Sequence, residues 1–158
     1  MIIKSYEVEK LKSLLIEKKI FLLYGENLGL KKEIKEIVKL SINKNGTKLE
    51  EVIFLESEII KNDENFYNLI FSGSLFSNKK IILVYNVSDK IIPFIKKIES
   101  KCPQDIFLIL FSEIFFSKAL DTLIVSLPQC IEVKKNIIII RKDSFVLSLS
   151  QTSAKRPK

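Results

Sequence analysis

An apolar run that begins at Phe21 ends on Gly25, and after Glu26, Asn27 and Leu28 a second glycine, Gly29, precedes Leu30, Lys31 and Lys32. Strand, glycine turn and helix in this order are the parts of a phosphate-binding loop. In G-x-x-x-x-G-K-[ST], backbone N–H groups wrap the phosphates, the lysine neutralises the outer ones and the hydroxyl holds magnesium. Here the two glycines stand one residue closer, Leu30 follows Gly29 where the lysine belongs, and no Ser or Thr follows Lys31 and Lys32. A nucleotide hydrolase of this architecture also needs an acid at the end of the third strand. Tyr85 and Asn86 occupy that position, and Asp89, further on, is explained more simply by helix capping. The expectation is a degenerate phosphate loop at Gly25, Gly29, Lys31 and Lys32, with no catalytic residue, no metal and no cofactor. The plainer alternative is that both glycines only let the chain turn tightly and the helix pack close to the sheet.

The composition removes other chemistries. The chain has no histidine, which excludes His-based acid–base catalysis, His metal sites and the common nucleophilic triads. Cys102 and Cys130 lack C-x-x-C spacing and have no His to complete a zinc site. Two such cysteines, with no signal-peptide pattern ahead of them, imply a reducing, cytoplasmic location. No apolar run approaches the roughly 18 residues of a membrane span, so no membrane partner is expected. The net charge is +7, but residues 131–158 hold seven basic side chains against Glu132 and Asp143. The body therefore carries little net charge, and both arginines, Arg141 and Arg156, lie in that late segment. A basic nucleic-acid-binding protein has only this cluster in its favour.

A second segment offers chemistry of another kind. Phe71-Ser72-Gly73-Ser74-Leu75-Phe76-Ser77 breaks a helical pattern and then sets two large apolar residues among small polar ones. If Leu75 and Phe76 are exposed together they form a plug, and burial in a partner would yield about 1.5–3 kcal/mol each. Alternatively, both tuck under the sheet as the chain enters the next strand.

The elements that must position these segments alternate strand and helix, as around a mainly parallel sheet. Strands are expected over 20–24, 52–55, 80–85 and 105–111. A helix over 28–41 places Leu30, Ile34, Ile37 and Val38 on one face and Lys31, Lys32, Lys35 and Glu36 on the other. The acidic stretch 56–64 leads into a helix carrying Phe66, Leu69, Ile70 and Phe71, with Gly73 suited to its end. Ser88 and Asp89 cap a helix running to about residue 100, with Ile91, Ile92, Ile95 and Ile98 inward and Pro93 in the first turn. Past residue 111 the pattern weakens. Residues 115–125 suit a helix, 137–140 and 145–147 have no obvious place in the layers, and 151–158 read as a disordered basic tail.

With these residues in view, the chain resembles the N-terminal domain of the delta subunit of bacterial DNA polymerase III, the clamp-opening subunit of the sliding-clamp loader. The resemblance rests on Met1-Ile2-Ile3-Lys4-Ser5, Phe21-Leu22-Leu23-Tyr24-Gly25-Glu26-Asn27 with Gly29-Leu30-Lys31, the Ser74-Leu75-Phe76 step, and Lys79-Lys80-Ile81-Ile82-Leu83-Val84 leading to Ser88-Asp89-Lys90-Ile91. It spans about the first 110 residues.

The resemblance implies an α/β fold, a three-layer P-loop/AAA+-like domain with a mainly parallel sheet and a degenerate nucleotide loop. It implies that Leu75 and Phe76 enter a hydrophobic cleft on the sliding clamp while Ser74 shapes the approach. It also implies no ATP hydrolysis here, within a component of the DNA-directed DNA polymerase holoenzyme, a nucleotidyltransferase. Expected partners are the sliding clamp, the other clamp-loader subunits and, indirectly, primed DNA.

Residues 1–111 form the delta-like domain on this reading, 112–141 a poorly matched end of it and 142–158 a basic tail. Members of that family continue into a lid and a collar domain that this sequence lacks, so a truncated or frame-interrupted copy is expected. The alternatives are a small P-loop-like kinase or NTPase using Lys31 or Lys32 on phosphate, and a non-functional copy.

Overall fold

The computed structural model describes residues 2–4, 19–25, 27–43, 49–72, 79–99, 101–113, 129–134 and 137–142. The middle of the sheet explains the order of the rest. Ile20–Gly25 (β2) is apolar at every position up to its terminal glycine and buried throughout. A strand with no polar face must be covered on both sides. It pairs in parallel with Ile106–Ser112 (β5) on one edge and Gln129–Lys134 (β6) on the other. Beyond β5 lie Lys79–Tyr85 (β4) and Leu49–Leu55 (β3), also parallel. Ile137–Lys142 (β7) returns antiparallel to β6, and Ile2–Lys4 (β1) pairs antiparallel with β7. The seven strands run in the order β1-β7-β6-β2-β5-β4-β3.

Alternation along these strands divides the apolar interior in two. Even-numbered residues, among them Leu22, Ile82, Val84, Leu108 and Leu110, pack on Ile59 of helix Glu56–Lys61 (α2), Phe66 and Ile70 of helix Asp63–Phe71 (α3), and Ile95 and Ile98 of helix Ile92–Glu99 (α4). Odd-numbered residues, among them Phe21, Leu23, Ile81, Leu83 and Ile109, pack on Leu30, Ile34, Val38 and Ile42 of helix Leu28–Ile42 (α1). The described half of the sheet is thus sandwiched, with α1 on one face and α2 to α4 on the other. The observed class is α/β with a mainly parallel sheet.

Local chemistry sets the helix ends. Asn27 Oδ1 accepts from the Leu30 N–H at 2.9 Å and starts α1. At the other end Lys79 Nζ donates to the Ile42 carbonyl at 3.1 Å, serving one of the acceptors that a helix leaves over. Asn62 Oδ1 receives the Asn65 N–H and starts α3. The Leu55 N–H donates to the Glu58 carboxylate at 2.7 Å as α2 begins.

Four expectations need correction. The acidic stretch after residue 55 does not merely lead into a helix; residues 56–61 are the helix α2, with Glu56 and Ile59 buried and Glu58 exposed, and α3 begins at Asp63. Phe71 leaves the core at the end of α3 and is exposed, because α3 buries Phe66 and Ile70 with Tyr67 and Leu69 partly covered beside them. Residues 137–140 do have a place, as the antiparallel partner of β6, and the short strand β1 was not foreseen. Periodicity puts Lys31 on the solvent face of α1, but it is buried, its ammonium bonded to the Ser112 carbonyl at the end of β5. The expected helix over 115–125, the strand-like 145–147 and the tail 151–158 lie outside the described residues, as does Gly73.

Phe66 is the largest of the fully buried side chains on the α3 side and lies edge-on to Phe54 at 5.3 Å and 87°. Phe66→Ala is expected to lower unfolding free energy by about 3–5 kcal/mol in urea melts, whereas Phe71→Ala should stay within about 0.5 kcal/mol.

Candidate functional site

The turn after β2 is short. Gly25, the last residue of the strand, has φ 121°, a conformation that a side chain strains, so this position needs glycine. Only Glu26 and Asn27 separate it from α1. Gly29 therefore falls in the first turn of the helix, where a Cβ would meet Asn27 Oδ1 at an ordinary 3.4 Å. A phosphate cradle sets a longer run of backbone N–H groups ahead of its helix. Here one of those N–H groups, that of Leu30, is taken by Asn27 Oδ1, and the Lys31 N–H bonds the Asn27 carbonyl at 3.0 Å.

Lys31 and Lys32 then part. Lys32 is exposed. Lys31 is 3% exposed and its ammonium donates to the Ser112 carbonyl, at the end of β5, over 3.3 Å. Burial pushes the Lys31 ammonium below its ordinary pKa, while the Glu113 carboxylate nearby opposes the shift.

Between α1 and the ends of β4 and β5 is a cavity of about 240 Å³. Leu28, Lys31, Lys32 and Lys35 line it from the helix; Tyr85, Asn86, Phe111 and Glu113 line it from the strand ends. The Tyr85 and Phe111 rings stack at 4.5 Å and 9°. Asn86, where a hydrolase would carry its acid, turns the chain at φ 58°, and the Val87 N–H returns to the Phe111 carbonyl at 3.0 Å. Next to this turn the buried Glu56 carboxylate receives the Ser88 N–H and hydroxyl at 2.8–2.9 Å. Ser88 does cap, as expected, but it caps a 3-10 turn over Asp89–Ile91 that precedes α4, with Pro93 in the first turn of that helix.

Ser74, Leu75 and Phe76 lie outside the described residues. Their anchors are described. The segment leaves α3 after Ser72, whose N–H bonds the Asn68 carbonyl at 2.7 Å, and rejoins the sheet at Lys79. Lys80, buried in β4, reaches back to the Leu69 carbonyl at 2.8 Å and lies 3.9 Å from the Glu50 carboxylate. One side chain thereby ties both ends of the segment together. No local signal marks Lys80, because a lysine at a strand's start ordinarily faces water. The Glu56–Ser88 pairing, 32 residues apart, had no local signal either.

Among the described residues, no group of His, Cys, Asp or Glu side chains could hold a metal, and no helix is long and apolar enough to cross a membrane. Cys102 carries a free thiol raised in pKa by burial, with Lys19 opposing. No protein-family model matches the chain, and no curated protein matches its sequence.

Lys31→Met should leave stability at pH 7 unchanged or raise it by about 1 kcal/mol, because the substitution removes a desolvated charge. The sign follows from linkage. A lysine with a depressed folded pKa penalises folding below that value, and the penalty fades as pH rises toward 10.5. The advantage of the variant in urea melts should therefore shrink as the pH is raised.

Proposed function

We propose that this chain is a non-catalytic clamp-binding module of the kind found in the delta subunit of bacterial DNA polymerase III. Leu75 and Phe76 form the plug that enters a hydrophobic cleft on the sliding clamp, and Ser74 shapes the approach. In a loader with its sister subunits, binding at that plug helps to open the ring for primed DNA, and ATP acts in those other subunits.

The carrying observation is the position of Ser74-Leu75-Phe76, between the end of α3 at Ser72 and the start of β4 at Lys79, the two ends that Lys80 ties together through the Leu69 carbonyl. A plug on a pinned base loses less conformational freedom on binding than one on a loose loop. The finer description of the fold, a P-loop/AAA+-like domain with a degenerate nucleotide loop, belongs to the same proposal. It is supported by the glycine turn that follows the central strand of a mainly parallel sheet. Support for the absence of nucleotide chemistry comes from Asn27 taking a helix N–H and from Lys31 turned to Ser112.

The joint variant Leu75→Ala/Phe76→Ala is expected to weaken binding to the sliding clamp of the same genome at least tenfold by calorimetry, with the urea midpoint unchanged. Equal affinity would remove the assignment. In the same instrument, ATP with magnesium should give no saturable heat, and a saturable titration would favour the kinase or NTPase reading.

A further inference from the structure

We propose that the cavity beside α1 is a binding site for a small planar carboxylate, a single ring bearing one acid group, seated on Tyr85 and Phe111 with its acid on the Lys31 ammonium. The proposal is independent of the clamp reading. Lys31 is one of the most deeply buried charged groups described, and its one hydrogen bond among the described residues, to the Ser112 carbonyl, is long at 3.3 Å. An ammonium has three donors, and a buried donor without an acceptor is costly. In the cavity the remaining donors meet water or an arriving acceptor, and an anionic acceptor compensates a desolvated ammonium better than water does. The depressed pKa of Lys31 reflects the same under-compensation.

Shape and charge define the class of ligand. The cavity, about 240 Å³, lies just under the size range of ordinary ligand pockets, which suits one ring and not a nucleoside triphosphate. Tyr85 and Phe111, already parallel at 4.5 Å, offer flat apolar surface on which another ring can pack. Among the described residues that line the cavity, Lys31, Lys32 and Lys35 stand against one acid, Glu113, which favours an anion; Lys35 is partly engaged by Glu36 at 3.4 Å. A polyphosphate fits poorly, because Asn27 already holds the Leu30 N–H and no arginine is among the described residues that line the site. The site also opens at the carboxyl ends of parallel strands, the usual place for ligands in open α/β sheets.

The test is a titration of the isotope-labelled full chain, followed by amide resonances, with benzoate, benzyl alcohol and inorganic phosphate in turn. Benzoate is expected to shift Leu28, Asn86 and Glu113 saturably and to bind at least tenfold more tightly than either other probe. Lys31→Met should lose that advantage of benzoate over benzyl alcohol while keeping its remaining spectrum. Absence of saturable shifts at these residues would overturn the proposal, as would equal binding of benzoate and benzyl alcohol. Phosphate binding as tight as benzoate would mark a bare anion hole and would overturn it too. The wild-type comparison decides the matter even if the variant folds poorly.

Discussion

Strand β2 is paired on both edges and covered on both faces, and the other described parts of the molecule are arranged by that condition. Phe21, Leu22 and Leu23 have almost no exposure, so the residues on either side of the sheet must supply two separate apolar surfaces in register with one strand. At about 25 cal/mol per Å² of apolar surface removed from water, such a strand supports the sheet only when both surfaces are present. Leu30, Ile34, Val38 and Ile42 provide one, at every fourth position of α1; Phe66, Ile70, Ile95 and Ile98 provide part of the other. On the opposite side the sheet continues through β6 and antiparallel β7 to β1.

The same condition creates the chemistry at the end of the sheet. Because Gly25 turns the chain after the last buried residue of β2 and Asn27 starts a helix two residues later, α1 is drawn down onto the ends of β5 and β4. A lysine in the first turn of that helix is then largely buried beside the cavity, and its ammonium donates to the Ser112 carbonyl. What looked like a phosphate-loop lysine has become a buried charge beside an aromatic cavity. The short turn brings the first residues of α1 to the same end of the sheet as Ser112, Tyr85 and Phe111.

Strands and helices with strong periodicity were legible in advance: β2, β4 and β5, the inward face of α1 and the cap at Ser88 all stand close to where their patterns put them. Boundaries slipped where burial, which a pattern does not measure, decides them. β3 begins at Leu49 because Glu50 and Glu51 sit at an edge where charges are tolerated, Glu51 pairing with Lys39 at 2.5 Å and raising its pKa. Lys31 was misplaced because helical periodicity puts it at the border of the apolar stripe, and only the depth of packing settles which side of a border a residue joins. Residues 137–140 resisted placement because a run of four isoleucines has no polar phase to read.

Composition and local spacing were enough to read the α/β class, the parallel core strands, the lack of histidine and the glycine turn without the residues that hold a triphosphate. These are properties of composition and of spacing over a few residues, which local sterics and the hydrophobic pattern translate directly. Tertiary structure alone decided that β6 and β7 complete the sheet, that Lys80 joins the ends of the segment carrying Leu75 and Phe76, and that Lys31 shares a cavity with Tyr85 and Phe111. Those facts depend on residues 11 to more than 100 positions apart, whose meeting is set by how strands are ordered and how deeply a helix packs.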